Sequence, residues 1–164
     1  MTAPTRCFRA RLARSAAALL ALLALGCHDS PSEPSGEVSF QVVTKTLLSP
    51  AGGPQFREVV RDQARWAEVW RQLWADGEQP PLPAIDFSRE MTIVATASIS
   101  CFGDVAIEAV ERDSGRLKVR IADAGPAPLC LCFAPEYVFE VVRASRVDGP
   151  AEFQVRPIPS RCPG

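Results

Sequence analysis

The side chains best equipped for chemistry in this chain are its six cysteines: Cys7, Cys27, Cys101, Cys130, Cys132 and Cys162. Cys7 and Cys27 fall in a distinctive N-terminal stretch, and the other four lie in the body of the chain. Four such thiols can hold a metal, exchange electrons or form cross-links. A zinc site draws on histidines and on cysteines spaced by about two to four residues. The only histidine is His28, outside the body of the chain, and Cys130-Leu131-Cys132 leaves a single residue between its thiols. A redox pair is usually CxxC beside a helix start, whereas Pro128, Leu129 and Pro135 surround this pair. No metal, no cofactor and no redox role is therefore expected. An even number of thiols in an exported domain reads as two structural disulfides. In an extended segment Cys130 and Cys132 point the same way and can meet two neighbouring partners. Cys101 is expected to pair with one of them, and Cys162 with the other. Each bridge contributes about 2–4 kcal/mol.

Catalysis by other groups finds little support. With no histidine beyond His28, Ser-His-Asp and Cys-His arrangements are excluded. There is no nucleophile elbow and no phosphate-binding glycine loop. A serine–lysine pair would need Lys45 or Lys118, both at exposed-looking strand positions. Asp104, Glu108, Glu136 and Glu140 supply carboxylates of the type glycoside hydrolysis needs. Glu136 and Glu140, however, fit the solvated positions of an alternating strand. A non-enzyme is expected, with a carboxylate-based hydrolase as an alternative.

The N-terminus reads as an address. Arg6, Arg9, Arg11 and Arg14 precede an unbroken apolar run, Ala16 to Leu25, and then Gly26-Cys27 and polar sequence. A positive stretch, a short apolar stretch and a small residue at the cut describe a secretory signal over residues 1–26. As a helix the run covers about 15 Å, half of a bilayer's roughly 30 Å core, too short to span it. Leu23-Ala24-Leu25-Gly26-Cys27 resembles a bacterial lipobox. The resemblance implies diacylglyceryl transfer to the Cys27 thiol, cleavage before Cys27 and fatty acylation of the new amine, giving a membrane lipid anchor. By the same analogy the residue after the cysteine, His28 rather than Asp, points to the outer membrane. Without the four early arginines, 14 basic residues face 19 acidic ones. That balance argues against nucleic-acid binding, which needs a basic face.

Residues 27–37 follow as a lipidated N-terminus and polar tether, since DSPSEPSGE has no apolar side chain to bury. The remaining 38–164 read as one α+β domain of about seven mostly antiparallel strands and one helix, stapled by the two disulfides. Val38 to Leu48 is a strand, and Gln55 to Arg61 a return strand after turn residues 49–54. Asp62 caps a helix from Gln63 to Ala75, with Trp66, Val69, Trp70 and Leu73 on one face. These tryptophans read as core, with Trp74 the one expected to be exposed. Met91 to Ala97 is a buried strand. Asp104 to Val110 and Leu117 to Ile121 form a hairpin about Asp113-Ser114-Gly115. Tyr137 to Val142 and Ala151 to Val155 complete the set.

Trp66 and Trp70 on the helix, then Pro81-Leu82-Pro83-Ala84-Ile85-Asp86-Phe87-Ser88-Arg89-Glu90-Met91, the hairpin from Val105 to Ile121, and the segment from Cys130 to Val142 with its Pro135-Glu136-Tyr137 follow one another in a distinctive order. Over roughly residues 60–155 this order resembles the C-terminal domain of the PrcB family, lipoproteins named for an accessory subunit of a bacterial surface protease complex. Where that family carries a Gly-Gly-aromatic turn, this chain has Ser100-Cys101-Phe102-Gly103. The resemblance implies a binding or stabilising role beside a protease.

The expectation is thus an exported, non-catalytic lipoprotein at the cell envelope that binds a partner protein, a protease being one candidate. Phe102, Gly103, Pro126 and Pro128 are the expected contact residues, because loops held by cross-links are preorganised. The alternative is a structural envelope lipoprotein without a specific partner. Radioactive fatty acid should label the wild-type protein, and Cys27→Ala should abolish the label; persistence of label in that variant refutes the anchor.

Overall fold

The computed structural model describes residues 35–48, 55–75, 78–100, 103–124 and 135–159. The chain divides into two compact units, Met1–Ser32 and Glu33–Gly164, and every described residue belongs to the second. Residues 1–26, read as a signal and including Cys7, lie outside the described residues, as do Cys27, the other four cysteines, Phe102, Pro126 and Pro128.

Eight strands and one helix follow in chain order: β1 (Gly36–Glu37), β2 (Phe40–Leu48), β3 (Arg57–Val60), α1 (Gln63–Leu73), β4 (Glu90–Ser100), β5 (Val105–Asp113), β6 (Arg116–Asp123), β7 (Pro135–Ser145) and β8 (Ala151–Pro157). The α+β reading holds, with eight strands rather than seven. They form two four-stranded sheets, ordered β1-β5-β6-β8 and β2-β7-β4-β3. Every pairing is antiparallel except β6 with β8, which is parallel.

The centre of the second sheet is the β4–β7 ladder, in register from Glu90 opposite Ser145 to Ser100 opposite Pro135. Side chains alternate across a strand, and here both sets are apolar. Met91, Ile93, Ala95, Ala97, Val138, Val142 and Ala144 pack towards the first sheet with Val105, Val110, Leu117, Val119 and Ile121. Val94, Tyr137, Phe139 and Val141 pack on the other side with Trp66, Val69, Trp70 and Leu73 of α1. A strand buried on both faces needs a layer on each side. The molecule is therefore sheet on sheet with a helix on the outer face.

The helix forms where its capping residues allow. Asp62 accepts a bond from the Arg65 N–H at 2.8 Å, filling one of the donors a helix start leaves open. Its four apolar residues, spaced i, i+3, i+4 and i+7, are all buried, as expected. The Trp66 and Trp70 indole N–H groups donate to the Pro83 and Pro80 carbonyls, both at 3.0 Å. The proline-rich segment is thus strapped to the helix. Trp74 is only half-buried, and its ring stands edge-on to Phe139 at 5.3 Å. No tryptophan offers an open aromatic platform. In the lead to β4, Asp86 accepts from the N–H and hydroxyl of Ser88 and from Arg89. The Ile85-Asp86-Phe87-Ser88-Arg89 segment is thus turn-building chemistry.

Two expectations change. Gln55 to Arg61 is not the return of a hairpin with β2: β3 pairs with β4, and β2 and β3 lie at opposite edges of their sheet. The doubly apolar β4 and β7 take the centre, leaving the polar-faced strands outside. The tether also ends sooner than residue 37. Gly36 and Glu37 pair with Arg112 and Glu111 of β5, and Val38 behind them is buried. Backbone pairing needs no apolar side chain, so composition could not signal it.

The β5–β6 hairpin turns on Ser114 and Gly115, with φ of 50° and 76°. Two positive φ values make the turn whose twist suits a two-residue hairpin. The loop from β7 to β8 crosses this tip. Arg61 donates to the Val147 and Gly149 carbonyls at 2.9 Å each, and the Leu117 N–H donates to the Pro150 carbonyl. Gly149 has φ of 103°, and a Cβ there would collide with the Gly115 carbonyl oxygen. Gly149→Ala should cost about 1–3 kcal/mol, read as a lower urea midpoint with an unchanged slope.

Candidate functional site

One transverse row of the second sheet carries charge into the interior. Lys45 of β2 lies opposite Glu140 of β7, Glu140 opposite Ala95 of β4, and Ala95 opposite Arg57 of β3. The first sheet answers it. Lys45 Nζ meets Asp104 Oδ1 at 2.8 Å, and Arg57 meets Asp123 at 3.1 Å. The Ile107 N–H donates to Glu140 Oε2 at 2.5 Å. β5 is irregular beside this amide, between Ile107 and Ala109. An extra residue in one strand disrupts the ladder and leaves backbone groups that need other partners. Glu140 supplies such a partner from the facing sheet.

Glu140 is only 6% exposed. Its expected place as a solvated position of β7 is therefore wrong. Its neighbours Val138 and Val142 on the same face belong to the inter-sheet core. Period-two alternation shows only that Glu140 shares a face with them. It cannot show that both faces are covered. Burial raises its pKa, opposed by the Ile107 N–H and by Lys45, while Asp104 adds to the rise.

The other candidate carboxylates with described side chains are engaged by cations. Glu108 pairs with Arg156 of β8, and its pKa is lowered by that bond. Asp104 pairs with Lys45, and its N–H-linked neighbour contact is local, Val105 N–H to Asp104 Oδ1 at 2.9 Å. Of Glu136 only the backbone register, opposite Ile99, is described. Lys118 is engaged by Asp113 across the hairpin. Tyr137, buried beneath the helix, has its hydroxyl pKa raised to about 12 by burial, partly offset by a bond with Thr96. It is a neutral packing residue. Among the described residues no group of three or more His, Cys, Asp or Glu side chains could hold a metal.

Of the expected contact residues only Gly103 is described. It is half-buried and directly precedes Asp104. It stands at the end of the sandwich where β4 and β6 finish and β5 and β7 begin. The two ends coincide because Lys45, near the close of β2, reaches Asp104, just before β5. Cys101 follows Ser100, Cys130 and Cys132 lie between Ala124 and Pro135, and Cys162 follows Pro159. Each of those described neighbours belongs to this end, as β8 also finishes here, opposite Asp123. The chain enters at the other end. Ser35 Oγ accepts from the Ser114 N–H at the hairpin tip, at 3.4 Å.

No family model, no curated protein and no solved structure matches the chain. Among the described residues no helix is long and apolar enough to cross a membrane.

The row was missed in the sequence because its members come from four separate strands, and its partners from the facing sheet and a loop. Lys45 also bears on the sheet edge. β2 is an outer strand with Val42 and Leu47 56% and 51% exposed. A charge turned inward and an irregular register are devices that keep an edge from pairing with another chain, and β2 has both, the register shift falling between Val42 and Thr44. Lys45→Val should lower stability by less than about 1 kcal/mol, since Lys45–Asp104 is a partly exposed pair. It should also add concentration-dependent association, visible by light scattering. A strictly monomeric variant would refute the edge-protecting role.

Proposed function

We propose that this protein is a lipid-anchored, non-catalytic envelope protein that binds or stabilises a partner protein with the loop end of its sandwich. One observation carries the reading. The chain enters at the hairpin-tip end, beside Ser114, while Gly103 and the strand ends leading to Phe102, Pro126 and Pro128 stand at the opposite end. The nine residues of β5 between them span about 30 Å at about 3.3 Å per residue. The loop end is thus the end of the domain far from Ser35, where the described chain begins, which supports reading it as the partner-facing end.

The same end explains the cysteines. The described neighbours Ser100, Ala124, Pro135 and Pro159 share this end, which supports pairing Cys101 with Cys130 or Cys132 and Cys162 with the other. Such bridges would stiffen the contact loops and lower the ordering cost of binding. The non-catalytic reading is supported by the fate of the carboxylates: Glu108 is engaged by Arg156, Asp104 by Lys45, and Glu140 by a backbone amide. The resemblance to PrcB C-terminal domains makes an envelope protease the partner class to test first; the signal-like N-terminus supports export, and His28 after Cys27 favours the outer membrane by analogy.

A photo-reactive phenylalanine analogue at position 102 should cross-link, in intact cells, to one protein of defined mass. The same analogue at Ser114 should not, and Cys27→Ala should weaken the adduct. In the unreduced mature protein Cys101, Cys130, Cys132 and Cys162 should all resist alkylation. Equal or absent cross-linking at both positions favours a structural lipoprotein without a specific partner.

A further inference from the structure

We propose that Glu140 makes the seam between the two sheets proton-sensitive, so that the sandwich closes more firmly in mildly acid than in neutral or alkaline medium. The geometry is a single carboxylate, 6% exposed, held between facing sheets and bonded at 2.5 Å to the Ile107 amide beside the irregular point of β5. The inference is independent of the partner and of the anchor.

The charged groups around it can be enumerated. From β2 comes Lys45, directly opposite, whose Nζ is turned to Asp104 at 2.8 Å. From β4 comes Ala95, with no charge. From β3, one strand further, comes Arg57, matched by Asp123 of β6 at 3.1 Å. From the start of β5 come Asp104 and, on the outward side, Glu108, which is held by Arg156. Two cations thus face two external carboxylates and are matched by them. Ionised Glu140 is the unmatched charge of the row. A buried charge without its own counter-ion destabilises the folded state. Protonated, the carboxyl keeps an oxygen for the Ile107 N–H and loses the charge.

The direction follows from linkage. Burial is the largest influence on Glu140 and raises its folded pKa above the ordinary 4.5. A raised pKa gives stability that is fully present below the unfolded value and is lost as pH rises through the folded value. Asp86, Glu108 and Asp113 have lowered pKa values, held down by Ser88 and Arg89, by Arg156, and by Lys118. Their contributions are lost only as pH falls below the ordinary carboxyl range. The two effects occupy opposite sides of that range. The window above it is also clear of histidine, since His28 is the only one in the chain and lies outside the described residues.

The test is thermal unfolding of the mature protein across about pH 5 to 8, the range histidine would otherwise dominate, for wild type and Glu140→Gln. Glutamine keeps an oxygen for the Ile107 N–H and carries no charge. The wild-type midpoint should fall as pH rises, and the variant should show a flatter profile with the higher midpoint at the alkaline end. Parallel profiles overturn the proposal. If the variant does not fold, the Ile107 amide shift in the wild type decides by NMR. It should titrate above the ordinary carboxyl range, and a midpoint within that range, or no titration, overturns it.

Discussion

The whole architecture depends on the β4–β7 ladder being apolar on both faces. Met91, Ile93, Ala95 and Ala97 point one way while Val94, Tyr137, Phe139 and Val141 point the other. Burying one such set leaves the other in water, and removing apolar surface from water is worth about 25 cal/mol per Å². Two covering layers are therefore required. The first sheet supplies one. The α1 helix, with its ring pairs Trp66–Trp70 at 5.2 Å and Trp70–Trp74 at 5.8 Å, supplies the other. The short length of that helix suits the task, since it covers the faces of β4 and β7 and little more.

Covering both faces creates the problem that the Lys45–Glu140–Ala95–Arg57 row resolves. Irregularity in β5 frees a backbone amide inside the sandwich, and a buried donor without a partner costs about 1–3 kcal/mol. The carboxylate of Glu140 meets it. Ala95 beside it is small enough to leave the carboxylate room in its row. Cations at the two outer strands then find carboxylates on the facing sheet. The result joins the sheets near the end from which the cysteine-bearing segments depart.

The arrangement also separates two tasks along the sandwich. At the hairpin-tip end arginine side chains hold backbone carbonyls. Arg61 and Arg146 bind the carbonyls of Val147, Gly149 and Phe87, and β1 adds two residues to the edge of β5. At the other end strands finish together and their connections are long. Recognition usually resides in such connections, held by a rigid scaffold.

Local signals in the sequence were enough for α1 with its Asp62 cap and its four buried residues, for the hairpin at Ser114-Gly115, and for the apolar run of β4. Each depends on side-chain period or turn chemistry among near neighbours, which a linear pattern carries. The pairing of β3 with β4, the strand formed by Gly36 and Glu37, and the burial of Glu140 were not legible. Pairing is decided by backbone groups that are alike in every residue, and burial by whatever covers the second face. Of the site, Lys45, Asp104 and Glu140 were visible only as separate charges. Their meeting required β2, β7 and the start of β5, some sixty and more residues apart in part, to be brought into register. The proposed roles of the cysteines and of an export signal rest on the sequence alone, since those residues lie outside the described ones and targeting is read from an extended segment, before any tertiary contact exists to alter it.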